Sequence, residues 1–167
     1  MDGSGVASDP YELYVSQDFD SSNWSHFNIV AAENVAIENT VLVTSVDVVL
    51  SGFMGFIDPS SITNYQLNFY TTPEAAGNSL IGDVLSVDID PADATIIPEW
   101  LGVGHLVSIT PNVTIEAGEY YFGIICKNQF PLYGQVGVSK SLIGDNVTAI
   151  WGQPDNGFGN GTHGNIP

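Results

Sequence analysis

Positive charge is nearly missing from this sequence: Lys127, Lys140 and no arginine stand against 19 acidic residues, giving a formal net charge of −17 over 167 residues. Phosphate-bearing partners are held chiefly through Lys and Arg, so nucleic acid and anionic membrane surfaces are excluded. Cations, neutral sugars and basic proteins remain. Cysteine is scarce too. Cys126 stands alone, which excludes an internal disulfide or a cysteine-based zinc site, and it reads as a small buried strand residue. Long hydrophobic runs are lacking: stretches such as Val46–Leu50 and Ile124–Cys126 fall far short of the roughly 20 residues a membrane helix needs. No stretch carries an apolar stripe of helical period over three turns. The signatures G-x-S-x-G, HExxH, GxGxxG and the P-loop are absent, and an enzyme is not expected.

What is present suits a single folded unit. With 44% apolar and 11% aromatic residues the chain can bury a core despite its charge. Val, Ile and Thr are abundant, and Gly and Pro punctuate the whole length. The pattern predicts an all-β fold, a two-sheet antiparallel β-sandwich of about eight strands. The expected strands are Phe27–Ala31, Thr40–Ser51, Asn64–Thr72, Leu80–Ile89, Val103–Thr110, Tyr120–Cys126, Gly134–Ser139 and Val147–Trp151. Met1–Pro10, which lacks the basic start and apolar segment of a secretory signal, is expected to be a linker remnant. The folded domain is expected over residues 11–154, with the glycine-rich residues 155–167 as a loop or tail.

Alternation indicates which faces are dry. Along Asn64–Thr72, Tyr65, Leu67 and Phe69 point one way and Asn64, Gln66, Asn68 and Tyr70 the other, the pattern of a sheet with one hydrated face. Tyr120–Cys126 is apolar on both parities, as expected of a strand covered on both sides or of one whose outer aromatics have a role.

Gln17-Asp18-Phe19-Asp20, VTSVDVVLSGF over Val43–Phe53, NFYTT over Asn68–Thr72 and TIEAGEYYFGI over Thr114–Ile124 together resemble jelly-roll modules appended to secreted bacterial multidomain proteins. That resemblance covers roughly Asp18 to Gly159. It implies a jelly-roll topology, a secreted or cell-surface location beside other domains of the same polypeptide, and an accessory role. Many such modules bind carbohydrate and some carry a structural calcium ion.

Sugar recognition needs flat rings beside amides and carboxylates, because a pyranose stacks its C–H face and exchanges hydrogen bonds at its rim. The hydrated face of Asn64, Gln66, Asn68 and Tyr70, with Gln135 from another strand, has that composition. Trp24, Trp100 and Trp151 lie outside or at the ends of the expected strands and are the candidate stacking rings. An ordinary hydrated sheet face is the competing reading. For calcium, which takes six to eight oxygen ligands, two acidic groups stand out: Asp88, Asp90 and Asp93 around Pro91, and the D-x-D of Asp18 and Asp20, which Asp145 or Asp155 could complete. A solvated acidic turn is the plainer alternative for the first. His105, alternating with Val103 and Val107, reads as a satisfied strand histidine, and Phe53, Met54 and Phe56 as a cap on the core unless exposure makes them a partner surface. The function expected is a non-catalytic module that binds polysaccharide; the alternative is a structural or adhesion spacer that binds no glycan itself.

Overall fold

Strand boundaries in this chain follow its turn chemistry, and the turns are more frequent than the hydrophobic pattern suggests. The computed structural model describes residues 13–102, 104–139 and 147–166. Across them the protein is all-β, with strands β1 (Leu13–Val15), β2 (Gln17–Asp18), β3 (Val30–Ile37), β4 (Val41–Val43), β5 (Val46–Phe53), β6 (Asn64–Tyr70), β7 (Leu85–Ile89), β8 (Thr95–Trp100), β9 (Gly104–Ile109), β10 (Val113–Ile115), β11 (Gly118–Lys127), β12 (Gln135–Ser139), β13 (Ile150–Gly152) and β14 (His163–Asn165). Two short helices, α1 (Pro73–Asn78) and α2 (Phe130–Tyr133), interrupt them. One sheet runs β1-β12-β5-β9-β8; a larger one runs β14-β13-β3-β11-β6-β7, with β2 added in parallel to β11; β10 and β4 form a separate ribbon. Every other pairing is antiparallel.

The strand count of about eight is therefore too low, for identifiable reasons. The expected strand Thr40–Ser51 divides, because β4 pairs with β10 while β5 joins the five-stranded sheet. Only the second half of Leu80–Ile89 is strand. Phe27 belongs to a 3-10 turn, and β3 instead continues to Ile37 along β11. Residues 95–100 lie outside the expected strands, yet they form the edge strand β8, and Pro98 lies where its register against β9 shifts between Ile97 and Trp100. A proline is tolerated there because the ladder is already broken. Strands β1, β2, β10 and β14 are too short to show a two-residue period.

Inward side chains of both large sheets meet in one buried cluster: Val48, Leu50, Val107, Ile109 and Val136 from the five-stranded sheet, with Tyr65, Leu67, Phe69, Ile89, Ile124 and Cys126 from the larger one. Each fully buried aliphatic side chain stabilises the fold by about 1.5–3 kcal/mol. Cys126 is completely buried there, and burial pushes its thiol far above the ordinary range. Alkylation of Cys126 in the folded protein is expected to run roughly a thousandfold slower than in denaturant, since the thiolate forms only on opening. Labelling in buffer at the denatured rate would contradict this placement.

A second cluster lies on the opposite parity of the larger sheet: Val30, Ala32, Ile125 and Ile150 pack with Tyr70 and with Ala76 of α1. This explains why β11 is apolar on both parities. The helix starts at Thr72, whose hydroxyl accepts the Ala75 N–H at 3.1 Å, with Pro73 following. Helix α1 and Leu80 cover one half of a sheet face that the sequence pattern leaves in water. After β13 the chain loops and returns as β14, pairing Trp151 with Gly164. A Cβ at Gly164 would lie 2.8–2.9 Å from the Trp151 ring, so only glycine lets the indole lie across the strand. No helix among the described residues is long and apolar enough to cross a membrane.

Candidate functional site

The uncovered half of that outer face is a polar groove built where four strands run side by side. Gln66 of β6 stands opposite Asp88 of β7, Asn64 opposite Lys127 of β11, and Lys127 opposite Asp18 of β2. Strand β2 can join here because β3 pairs with β11 only as far as Gly123. The two amides are oriented by one carboxylate oxygen: Asp88 Oδ1 accepts from Asn64 Nδ2 at 2.8 Å and from Gln66 Nε2 at 3.1 Å. Across the groove Lys127 Nζ lies 3.2 Å from Asp20 Oδ1, and that contact raises the lysine above its usual basicity. Asp20 has a positive φ of 40°, and its N–H donates to Asp18 Oδ1 at 3.1 Å. With Thr63 these residues line a hollow of about 520 Å³. A second hollow of about 400 Å³ shares Asp18 and Gln66 and continues past Asn28 and Leu80 to Asp155.

The carboxylates stand on a rigid base. Phe19, between Asp18 and Asp20, is buried, with its ring 5.6 Å from Phe130 and 6.2 Å from Phe27. Trp24 packs on Phe130 at 5.0 Å, and Phe158 on Phe27 at 4.9 Å. Such ring contacts contribute about 0.5–1.5 kcal/mol each beyond the area they bury.

Asn64 and Gln66 therefore lie in the groove as the alternation suggests, but the rest of the expected sugar-contact set does not join them. Asn68 and Tyr70 are 0% exposed. Asn68 Oδ1 accepts from Gly82 N and Ser86 Oγ, and the Tyr70 hydroxyl donates to the Leu80 carbonyl. The expectation of one continuous hydrated face is corrected here: the turn after α1 folds over half of it. Gln135 is buried in the five-stranded sheet, opposite Phe53. Trp24, Trp100 and Trp151 are all half-buried and belong to three separate places: the aromatic cluster, the end of β8 and β13. None of them lines either hollow.

The acidic residues also redistribute. Asp18 and Asp20 share one side, as D-x-D spacing suggests, and Asp88 faces the same hollow from the far strand. Asp90 instead caps the 3-10 turn at Pro91, accepting the Ala92 N–H at 2.8 Å, and Asp90 and Asp93 are exposed. Asp155 reaches only the second hollow, and Asp145 lies outside the described residues. Among the described residues no three acidic, histidine or cysteine side chains come together as a metal-holding group. Asp20 faces a lysine and Asp88 two amides.

His105 places Nε2 3.2 Å from the Ile57 carbonyl, a structural hydrogen bond. The SGFMGF segment splits: Phe56 packs on the core, while Phe53 and Met54 are exposed, Met54 at 68%. Sequence reasoning missed Thr63 and Lys127. Lys127 had one legible signal, its rarity. Compared with known proteins, the chain matches no family model, no curated protein and no solved structure.

Proposed function

We propose that this protein is a non-catalytic, jelly-roll-type β-sandwich module of a secreted or cell-surface protein, and that its groove binds polysaccharide. The observation that supports this most is the shared orientation of Asn64 and Gln66 by Asp88, opposite Asp18, Asp20 and Lys127 in an open hollow. Preorganised amides and carboxylates in an open groove suit the rim hydroxyls of a sugar chain. Binding to a matching oligosaccharide should fall in the millimolar-to-micromolar range, roughly −4 to −8 kcal/mol, as befits a shallow contact. Titration calorimetry across an oligosaccharide panel tests this. Gln66→Ala and Asp88→Ala should each weaken binding about tenfold with little change in melting temperature, because both side chains are at the surface. An unchanged affinity in both variants would move the site elsewhere.

A spacer or adhesion role without glycan binding is favoured by a different observation. Phe53, Met54, Ile57, Leu132 and Tyr133 are exposed, and the backbones of the two segments meet at Gly134. Such an end would suit a neighbouring domain. That reading expects no oligosaccharide to bind.

A further inference from the structure

We propose that Asn160 is a self-modification site: the Gly161 backbone nitrogen attacks the Asn160 side-chain amide, and Asn156 sets the rate by holding that nitrogen. Asparagine amides are chemically labile, and glycine, with no Cβ, is the successor least able to shield its nitrogen from them. Only Asn156 and Asn160 are followed by glycine in this chain. In the reaction the Gly161 nitrogen gives up its proton and bonds to Asn160 Cγ, while the bond from Cγ to the side-chain nitrogen breaks and ammonia leaves, closing a succinimide. Water then opens the ring at either carbonyl, giving aspartate or isoaspartate. Nothing is oxidised or reduced.

The structure separates the two candidates. At Asn156 both reacting groups are tied down. Its Oδ1 accepts the Gly161 N–H at 2.8 Å, and its would-be attacker, Gly157 N, donates to the buried Gln153 side-chain oxygen at 3.2 Å, beside Phe158 N at 2.9 Å. Gly157 is also wedged against His26, where an added Cβ would collide with the carbonyl. Asn160 is the opposite case. It is exposed, and its amide has no hydrogen-bond partner among the described residues. It stands between Gly159 at φ 77° and Gly161 at φ 101°, where an added Cβ would meet no non-adjacent atom closer than 4.0 Å. Two flanking glycines leave its backbone free to reach the geometry of ring closure. One restraint remains, the hydrogen bond from Gly161 to Asn156, which must break before the nitrogen can attack. The loop closes through Gln153 N–H to Thr162 O at 2.6 Å and leads into the edge strand β14. Isoaspartate adds a carboxylate and a methylene to the main chain there, so the change falls at a sheet edge and spares the core.

The test incubates the full chain in mildly alkaline buffer and follows each asparagine by peptide mapping with isoaspartate detection. In the folded chain Asn160 should convert ahead of Asn156, whereas in denaturant the two should convert at similar rates. Asn156→Ala removes the acceptor and should raise the Asn160 rate about fivefold, the factor that accompanies one ordinary hydrogen bond. Asn156→Asp retains an acceptor oxygen and should stay near the rate of the unsubstituted chain. Asn78 reports the state of the fold, because the nitrogen that follows it, Ser79 N, donates to Ala75 O at 3.2 Å at the end of α1. Its rate should be the same in all three chains. Conversion of Asn156 ahead of Asn160 in the folded chain would overturn the proposal, as would an Asn160 rate that Asn156→Ala leaves unchanged. An acceleration shared equally by Asn78 would trace the effect to loss of the fold and overturn the role of Asn156.

Discussion

Gly134→Ala is expected to destabilise the protein by about 3–5 kcal/mol, lowering the melting temperature by roughly 10 °C or more. Gly134 ends α2 at φ 71° and ψ −160°, a backbone region that is essentially glycine's alone. Space is lacking as well. A Cβ there would lie 2.4 Å from Phe56 N, 2.6 Å from Phe53 O and 2.7 Å from Met54 O, all backbone atoms that cannot turn aside. The variant must either move the 53–56 turn or give up the entry into β12. Gly102→Ala is the control: its φ is 74°, but nothing lies within 4 Å of the added carbon, so about 1 kcal/mol is expected. Thermal melts of both variants check the claim. Similar small losses in the two would show that the packing of Phe53–Phe56 on Gly134 has no energetic weight.

Gln17→Leu carries the second large effect, about 3–5 kcal/mol, despite similar side-chain volume. Gln17 is 0% exposed and serves three backbone groups from distant segments. Its Nε2 donates to Asn128 O at 3.1 Å and Gly134 O at 3.4 Å, and its Oε1 accepts the Val136 N–H at 2.9 Å. Leucine leaves all three buried without that partner, and each loss costs on the order of 1 kcal/mol or more. Next to it Ser16 links the two large sheets: its N–H donates to Val136 O of the five-stranded sheet at 3.2 Å, while its hydroxyl donates to Ile124 O and accepts from Ala31 N in the larger one. In urea the midpoint should fall sharply while the slope stays unchanged. Gln66→Ala should do the reverse, leaving the midpoint nearly in place and weakening ligand binding. These two glutamines have the same chemistry. Only their surroundings make one a structural pin and leave the other lining an open groove.

How much of this was legible depends on the length of each pattern. Asn64–Tyr70 is long enough to state its own parity, and Tyr65, Leu67 and Phe69 do enter the core while Asn64 and Gln66 face out. Asn68 and Tyr70 share that outer parity but are covered by a turn and a helix whose arrival no strand pattern can announce. The tryptophans illustrate the same limit. Their places outside or at the ends of expected strands were readable, yet the Trp24 ring packs on Phe130 and the Trp151 ring lies across Gly164 because of contacts made by other segments.

Taken alone, composition and alternation determined the all-β class, the buried Cys126 and the want of phosphate-binding charge, because each is a property of neighbouring residues or of the whole count. The tertiary structure decided which carboxylates meet. Asp18 and Asp20 join Asp88 across β11 and β6, while Asp90, two residues from Asp88, turns away to cap Pro91. Strand pairing brings together residues far apart along the chain, and a local turn separates near ones; side-chain chemistry by itself encodes neither.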